Sequence, residues 1–311
     1  MVDQSTTNLK GNITMATTQR NTLIMGKMEL TGWTAKKKAK DVERKAESDN
    51  GAKAGTISAR KSLLPGAEAL DNVSKYMAGC RSWWTTVSKD WIGTARVYHA
   101  AKHFDIQTEM GDRQREFYRL VDLFMQEYPV LRAEAQFQLN NLFDPADYPD
   151  PTVVRAKFKF DFEPLPLPNG EDFRLIDGDL IPQEEVDRLV FEAEGRAASK
   201  MAEAMKSTYE ELEAVIAHYI NRLQAKNESE DRDDKKQASI HASVIGNILE
   251  IVDNMPGLNL TGDERLKNLT EQAKELAEMF TVDELKESRG SRILATQKAE
   301  QIRKQFAGLF N

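Results

Sequence analysis

Residues 144–168 read DPADYPDPTVVRAKFKFDFEPLPLP, and this stretch decides the fold. Within it, Phe158, Phe160 and Phe162 alternate with charged residues. That period of two is typical of a strand that buries one face and leaves the other in water. Long segments with helical spacing lie on both sides of the stretch. The sequence therefore predicts a small antiparallel sheet set between two helical regions.

Local signals define the ends of this strand and its partners. Asp150 before Pro151 favours a helical turn just ahead of the strand, because proline suits the first helical position. Three prolines after it cannot donate to a ladder, so they end the strand. A turn at Asn169-Gly170 then predicts a returning strand at residues 173–176. An earlier strand at residues 22–33 is predicted as a second partner.

Composition bounds the class of protein. The chain has 311 residues, is 40% hydrophobic and 30% charged, and carries a net charge of −7. Such a mildly acidic chain is a poor candidate for coating nucleic acid broadly. Cys80 is the single cysteine, which excludes an intramolecular disulfide. A single cysteine suits a reducing cytosol, so we expect a cytoplasmic location. No apolar run approaches the roughly 18 residues of a membrane span, so we expect no membrane contact.

The N-terminal part of the chain has two unusual segments. Residues 1–21 are rich in polar residues and are predicted to be a disordered tail, with Met1 and Met15 as alternative start residues. Residues 36–61 hold nine basic and four acidic side chains and are predicted to form a flexible loop or partial helix. Its cluster of lysines leaves nucleic-acid binding open; the cluster comprises Lys36, Lys37, Lys38 and Lys40.

Helical periodicity covers most of the remaining chain. Heptad spacing at residues 67–91 and from 112 onwards predicts an antiparallel helical hairpin, with a kink or break at Pro129. The longest helix starts at Pro182, another spans residues 240–255 before Pro256-Gly257, and Thr281 opens a further one with capping-box spacing. Gly290 is expected to end that helix, and residues 293–309 form the last one, with Arg303 and Lys304 on its basic face.

The predicted fold class is α+β and predominantly α, with long antiparallel helical hairpins or a bundle and a small antiparallel sheet. Residues 22–178 would hold the strands, the basic segment and the first helices. Residues 179–311 would form a helical region packed on them as one elongated unit. The stripe of apolar and aromatic side chains on the helices indicates core.

A search for catalytic chemistry finds no positive signal. The chain lacks the phosphate-binding glycine loops, the zinc-protease motif and the nucleophile motifs. His99 and His103 could share a helix face and bind a metal, yet no pattern supplies a third ligand. Asp144, Asp147 and Asp150 could hold a hard cation, although capping roles explain them equally well. We predict no catalytic, cofactor or metal residues, and non-enzymatic function is favoured.

Several short motifs together resemble an uncharacterised family, a domain of unknown function in bacteriophages and integrative mobile elements. The resemblance spans nearly the whole chain, and it rests on Trp91-Ile-Gly93, Phe124-Met-Gln-Glu-Tyr-Pro129, Leu142-Phe-Asp-Pro145, Tyr148-Pro149, Phe158-Lys-Phe160, Pro164-Leu-Pro166 and Leu258-Asn-Leu-Thr-Gly-Asp263. Genes of that family lie near a MoxR/CobS-like AAA+ ATPase. The resemblance implies an accessory role beside such an ATPase, and it supplies no catalytic residues.

Three functions are therefore open. The favoured one is a phage or mobile-element adaptor that binds a AAA+ ATPase in DNA metabolism or assembly, in the host cytoplasm. The second is a nucleic-acid-binding accessory protein that uses residues 36–61 and the face of Arg303 and Lys304. The third is a virion or assembly component that forms homo-oligomers. The aromatic face of Phe158, Phe160 and Phe162 is either structural or a docking surface for a partner.

Overall fold

The computed structural model describes residues 22–168, 170–175, 180–231 and 238–307, so the predicted tail at residues 1–21 lies outside the described residues. The strands are β1 (Leu23–Thr31), β2 (Lys36–Lys38), β3 (Arg60–Ser62), β4 (Lys89–Ile92), β5 (Ala95–His99) and β6 (Lys159–Leu165). The helices are α1 (Lys40–Asp49), α2 (Glu68–Thr86), α3 (His103–Leu139), α4 (Pro151–Arg155), α5 (Gln183–Asp231), α6 (Ser243–Leu258), α7 (Glu264–Glu278), α8 (Val282–Glu287) and α9 (Arg289–Lys304). The predicted class, a predominantly helical α+β fold with a small sheet, is confirmed.

The larger sheet has the order β4-β5-β1-β6, which confirms that the aromatic strand lies beside the first strand. β1 and β5 are antiparallel, with Met25 opposite Val97, and the β4–β5 register shifts between Asp90 and Ile92. The predicted return strand is wrong, because Gly170–Leu175 forms a 3-10 helix. A Cβ at Gly170 would lie 3.2 Å from the carbonyl oxygen of Val190, so this segment packs on α5 instead of extending the sheet.

Of the two predictions for the basic segment, the partial helix is confirmed by α1, and the flexible loop is wrong. β2 and β3 form an antiparallel pair, with α1 in the connection between them. Glu47 Oε1 accepts the backbone N–H groups of Gly55 and Ile57 at 2.7 and 3.1 Å. Glu43 Oε1 accepts that of Ala59 at 2.9 Å. These buried carboxylates, one turn apart on α1, satisfy the connecting backbone and hold it in place.

The first long helices differ from prediction at their ends. α2 stops at Thr86, and Trp91 lies on β4, where Lys89 and Trp91 alternate as buried residues with exposed ones. A step of four residues in an apolar pattern is compatible with one helical turn and also with two repeats of a strand. The position of Trp91 therefore fits both a helix and a strand. α3 begins at His103 and continues through Pro129 without a break. Next to that proline, the Tyr128 hydroxyl donates to Pro149 O at 2.8 Å, and tertiary packing of this kind outweighs the lost hydrogen bond.

The later helices follow their predicted signals closely. α5 begins just after Pro182, and Thr281 forms the capping box of α8 as predicted. α6 extends through Pro256 and ends at Leu258, and the break before α9 falls at Ser288 rather than at Gly290. Each described helix is too short or too polar to cross a lipid bilayer.

The chain divides into two units built from discontinuous segments. One unit combines the described residues of Met1–Lys27 with Thr85–Ile106 and Pro164–Asn311; we call it the bundle unit. Its core joins β1 and β5 to α5, α6, α7 and α9, around residues such as Val97, Leu212 and Ile248. The other unit combines Met28–Trp84 and Gln107–Glu163. Its buried side chains include those of α2, α3 and the aromatic face of β6.

Candidate functional site

The four predicted lysines of the basic cluster have different surroundings. Lys36 and Lys40 are exposed, and Lys38 lies 3.3 Å from the carboxylate of Glu43. Lys37 is tied to the buried Asp147, whose other oxygen lies 2.7 Å from Lys61 Nζ. The structure therefore uses part of the cluster to hold its own fold and leaves the rest at the surface.

The predicted aromatic face is largely internal. Phe158 and Phe160 are 5% and 2% exposed, and both rings pack on Phe117 of α3. Phe162 is half-buried and makes an edge-to-face contact with Trp84, at 5.4 Å between ring centroids. These contacts give the strand a core role, and little of the triple-aromatic face is open to a partner.

The predicted basic face at the end of α9 is open. Arg303 and Lys304 are both exposed, and Arg303 Nε donates to Glu213 Oε1 at 2.8 Å. The two residues border a shallow depression with Glu300 and Phe306. Acidic neighbours offset the positive charge there, so the depression has no strong anionic preference.

The metal candidates take structural roles. His99 ends β5 and caps the following 3-10 turn, whereas His103 begins α3 and contacts the Tyr98 hydroxyl at 3.0 Å. Asp144 and Asp150 cap the turns that follow them. In the ranges that the structure describes, His, Cys, Asp and Glu side chains form no group of three that could hold a metal ion.

An apolar groove lies on the bundle unit, and sequence reasoning missed it. Its volume is about 680 Å³, and its walls come from β4, the 3-10 turn and the N-terminal part of α5. Ile92 on the edge strand β4 is 60% exposed, and Phe191 on α5 is 73% exposed. The other apolar and small lining residues are Trp91, Pro168, Gly170, Phe173, Ala193, Gly195 and Ala197. Exposed apolar side chains grouped in one groove are typical of an interaction site.

A polar cleft of about 810 Å³ adjoins this groove. It lies along α5 and α6 and reaches the β4–β5 strands. α5 contributes a stripe at helical spacing, which includes Lys200, Ser207 and Glu211. The remaining polar lining residues are Thr85, Thr86, Lys89, Asp90, Arg96, Glu203, Asn247, Glu250 and Asn254. Small and aliphatic side chains also line it: Ala204, Ala214, Val215 and Ile251.

Lys89 is the most unusual group in the cleft, because its side chain is 5% exposed. Burial lowers the pKa of Lys89, and the ion pair with Glu211, at 2.5 Å between Nζ and Oε2, offsets this only in part. Glu211 also accepts a hydrogen bond from the Ser207 hydroxyl at 3.1 Å. Arg96 is held in the same way by Asp90 and Ser88. The β4–β5 end of the cleft is thus rigid and internally compensated in charge.

One sequence signal pointed towards these depressions without identifying them. Residues 196–204 of α5 are rich in small residues, and this composition permits close approach of another helix. The facing residues Ile92, Asn247 and Asn254 come from distant segments, and local spacing does not show that these segments line neighbouring depressions. Comparison of the chain with protein-family models, curated proteins and solved structures finds no match.

Proposed function

We propose that this protein is a non-enzymatic adaptor of a phage or mobile element, that it acts in the host cytoplasm, and that it binds a MoxR-like AAA+ ATPase. The apolar groove supports this proposal. Ile92 and Phe191 reach it from different elements, and both are mostly exposed although their side chains are strongly apolar. Covering such surface contributes roughly 25 cal/mol per Å². A partner that inserts apolar side chains into the groove would gain this energy.

The lining of the groove favours a protein over a small molecule. One wall of the groove has small side chains, so a partner backbone can come close to α5 there; these residues are Ala193, Gly195 and Ala197. Arg196 and Lys200 stand with Glu192 at the rim, where they can form polar contacts around the apolar centre. An apolar centre with a polar rim is the usual anatomy of a protein interface.

Copurification tests the proposal directly. The tagged chain is expressed with the neighbouring ATPase, and the complex is isolated with and without nuclease. Ile92→Asp and Phe191→Asp should each weaken the nuclease-resistant complex at least about tenfold, because a carboxylate would be desolvated at the contact. Phe137→Asp is the matched control, since Phe137 is 78% exposed on α3 and lies outside the groove. A complex that both groove variants retain at full strength would refute the proposal.

A nucleic-acid-binding function is the second candidate, and one observation favours it. Lys38 and Arg60 lie opposite each other in the β2–β3 pair, and Lys36 is exposed beside them. Glu43 already compensates Lys38 at 3.3 Å, so the exposed charges of Lys36 and Arg60 are available for a nucleic-acid phosphate. DNA recovered with the chain, and an affinity that falls steeply with salt and with Lys36→Glu, would favour this candidate. A self-associated species without any partner would favour the virion or assembly role.

A further inference from the structure

We infer that the polar cleft binds an extended segment of polypeptide, held through its backbone by the side-chain amides of Asn247 and Asn254. The inference rests on the proposed adaptor function, since the segment belongs to the partner whose apolar side chains occupy the groove. Beyond the adaptor proposal, the inference specifies the backbone conformation of the bound segment and the charge of its side chains.

The groove and the cleft form one continuous path along α5. Lys200 lines both of them, and β4 lines the groove with Trp91 and Ile92 and the cleft with Lys89 and Asp90. Phe191 and Val215 mark the two ends on α5. At 1.5 Å per residue this path is about 36 Å long, which is the reach of roughly eleven extended residues. A partner segment can therefore fill both depressions without turning.

The α6 wall of the cleft presents a regular polar stripe. Asn247, Glu250 and Asn254 are three, four and seven residues apart, so they share one helix face. Neither amide has a hydrogen-bond partner among the described residues, so each keeps a donor and an acceptor for a ligand. A peptide group needs this pair of partners, one for its N–H and one for its C=O.

The spacing of the two amides selects a backbone conformation. Seven helical residues separate Asn247 and Asn254 by about 10.5 Å along α6. In a polyproline II segment, residues three apart point the same way and are separated by about 9.3 Å. In a β-strand, residues three apart point to opposite faces. Since polyproline II makes no internal hydrogen bonds, its backbone groups remain free for both amides.

The charges of the cleft select a basic segment. Three cationic side chains line it, and each is already paired: Lys89 with Glu211, Arg96 with Asp90 and Lys200 with Glu203. The fourth carboxylate, Glu250, is exposed between the two asparagines and has no partner in the described part of the chain. A lysine or arginine of the bound segment would compensate it. The described lining includes no aromatic ring on which a base or a sugar could stack.

Fluorescence anisotropy with a synthetic peptide tests this inference. The probe is a fluorescein-labelled peptide in which a Leu-Leu-Leu end precedes three Pro-Ala-Lys repeats. The double variant Asn247→Ala/Asn254→Ala should raise its Kd at least about tenfold, because hydrogen bonds at both amides are lost. Glu250→Gln should weaken the lysine probe about threefold or more and leave a Pro-Ala-Gln version unchanged. Asn268→Ala, an exposed asparagine on α7, is the matched control and should change nothing.

Two further measurements separate the cleft from the groove. The unlabelled repeats alone should compete with the probe on the Ile92→Asp background, because they need only the cleft. If the asparagine pair has no effect while Phe191→Asp still abolishes binding of the leucine end, the cleft inference fails and the adaptor proposal stands. If the repeats bind through the asparagines but Ile92→Asp and Phe191→Asp leave the strength of the ATPase complex unchanged, the adaptor proposal fails instead. Circular dichroism of each variant verifies folding.

Discussion

Lys61 Nζ lies 2.7 Å from Asp147 Oδ2, and the Asp147 side chain is 1% exposed. Lys61 stands opposite Lys37 in the β2–β3 pair, and Lys37 contacts the other oxygen of the same carboxylate. Two lysines that would repel each other across the β2–β3 pair are thus joined by one buried carboxylate. The carboxylate also fixes the β2–β3 pair to the 3-10 turn Pro145–Asp147.

Asp147→Ala should lower the free energy of unfolding by about 2 kcal/mol, because it leaves two lysines without their buried anion. Asp147→Asn should be nearly as harmful, since an amide keeps the shape and loses the charge. Urea unfolding at neutral pH measures both. Asp144→Ala is the neighbouring control and should lose only an exposed cap. Equal stability of Asp147→Asn and the wild type would show that the charge has no role.

The ion pairs of Asp147 with Lys37 and Lys61 should make the free energy of unfolding depend on pH. Burial raises the pKa of Asp147, but the hydrogen bonds from Lys37 and Lys61 outweigh it and hold the pKa below its usual range. A carboxylate with a lowered folded pKa stabilises the fold above its unfolded pKa of about 3.9, and this is lost as pH falls through the folded value. The difference between wild type and Asp147→Asn should therefore shrink from pH 7 to pH 3 in urea titrations. A constant difference would contradict the assignment.

Arg292 should be the most sensitive charged residue of the bundle unit. Its side chain is 1% exposed and donates to Asn227 Oδ1 at 2.6 Å, to two backbone carbonyls at 3.0 Å, and to Glu230. Arg292→Ala should lower the free energy of unfolding by about 3–5 kcal/mol, because it removes the partner of half-buried acceptors on α5 and of backbone carbonyls on α8. Arg292→Lys should recover only part, since an ammonium cannot reproduce the guanidinium geometry.

Arg289, one turn earlier on the same helix, is the control for this effect. Its side chain is half exposed, and it pairs with Asp231 at the end of α5. Arg289→Ala should have little effect on thermal unfolding, because exposed pairs are screened by water and salt. Similar losses at both arginines would mean that burial is not what makes Arg292 important.

Replacement of the buried Lys89 should not destabilise the fold, in contrast to replacement of Arg292. Since burial lowers its pKa despite the pair with Glu211, Lys89→Met should change the free energy of unfolding by less than about 1 kcal/mol or raise it. In the wild type, the unfolded chain binds this proton more tightly. Stability should therefore rise as pH increases from the folded pKa towards about 10.4, and Lys89→Met should lack this rise. A loss above 2 kcal/mol in Lys89→Met at neutral pH would contradict this account.

Thr281 provides a local test at the start of α8. Its hydroxyl accepts the Glu284 N–H at 3.2 Å, and its own N–H donates to the Glu284 carboxylate at 2.8 Å. Thr281→Ala should lower stability by about 1 kcal/mol, whereas Thr281→Ser should retain most of it because serine keeps the accepting oxygen. Thermal unfolding distinguishes the two. Equal losses for alanine and serine would assign the effect to the methyl group rather than to the cap.

The parts of the fold that could be predicted depend on short-range chemistry. The caps at Asp150 and Thr281 and the helix start after Pro182 follow from neighbouring residues, because a cap needs only the next few N–H groups. The aromatic strand was predicted for a similar reason, since period two over a few residues defines its buried face. The wrong predictions fall where two periods coincide, as at Trp91, or where a distant packing partner decides, as at Gly170.

The sequence by itself determined the class of the fold, most helices and the pairing of the first strand with the aromatic strand. Only the tertiary structure decided where an interaction could occur. Ile92 meets Phe191 in the groove, and Lys89 meets Glu211 beside Asn247, across separations of about 100 residues or more. Periodicity reports which face of an element is apolar, but it contains no information on which distant faces meet. It therefore cannot show that Ile92 and Phe191 stay exposed and line the same groove.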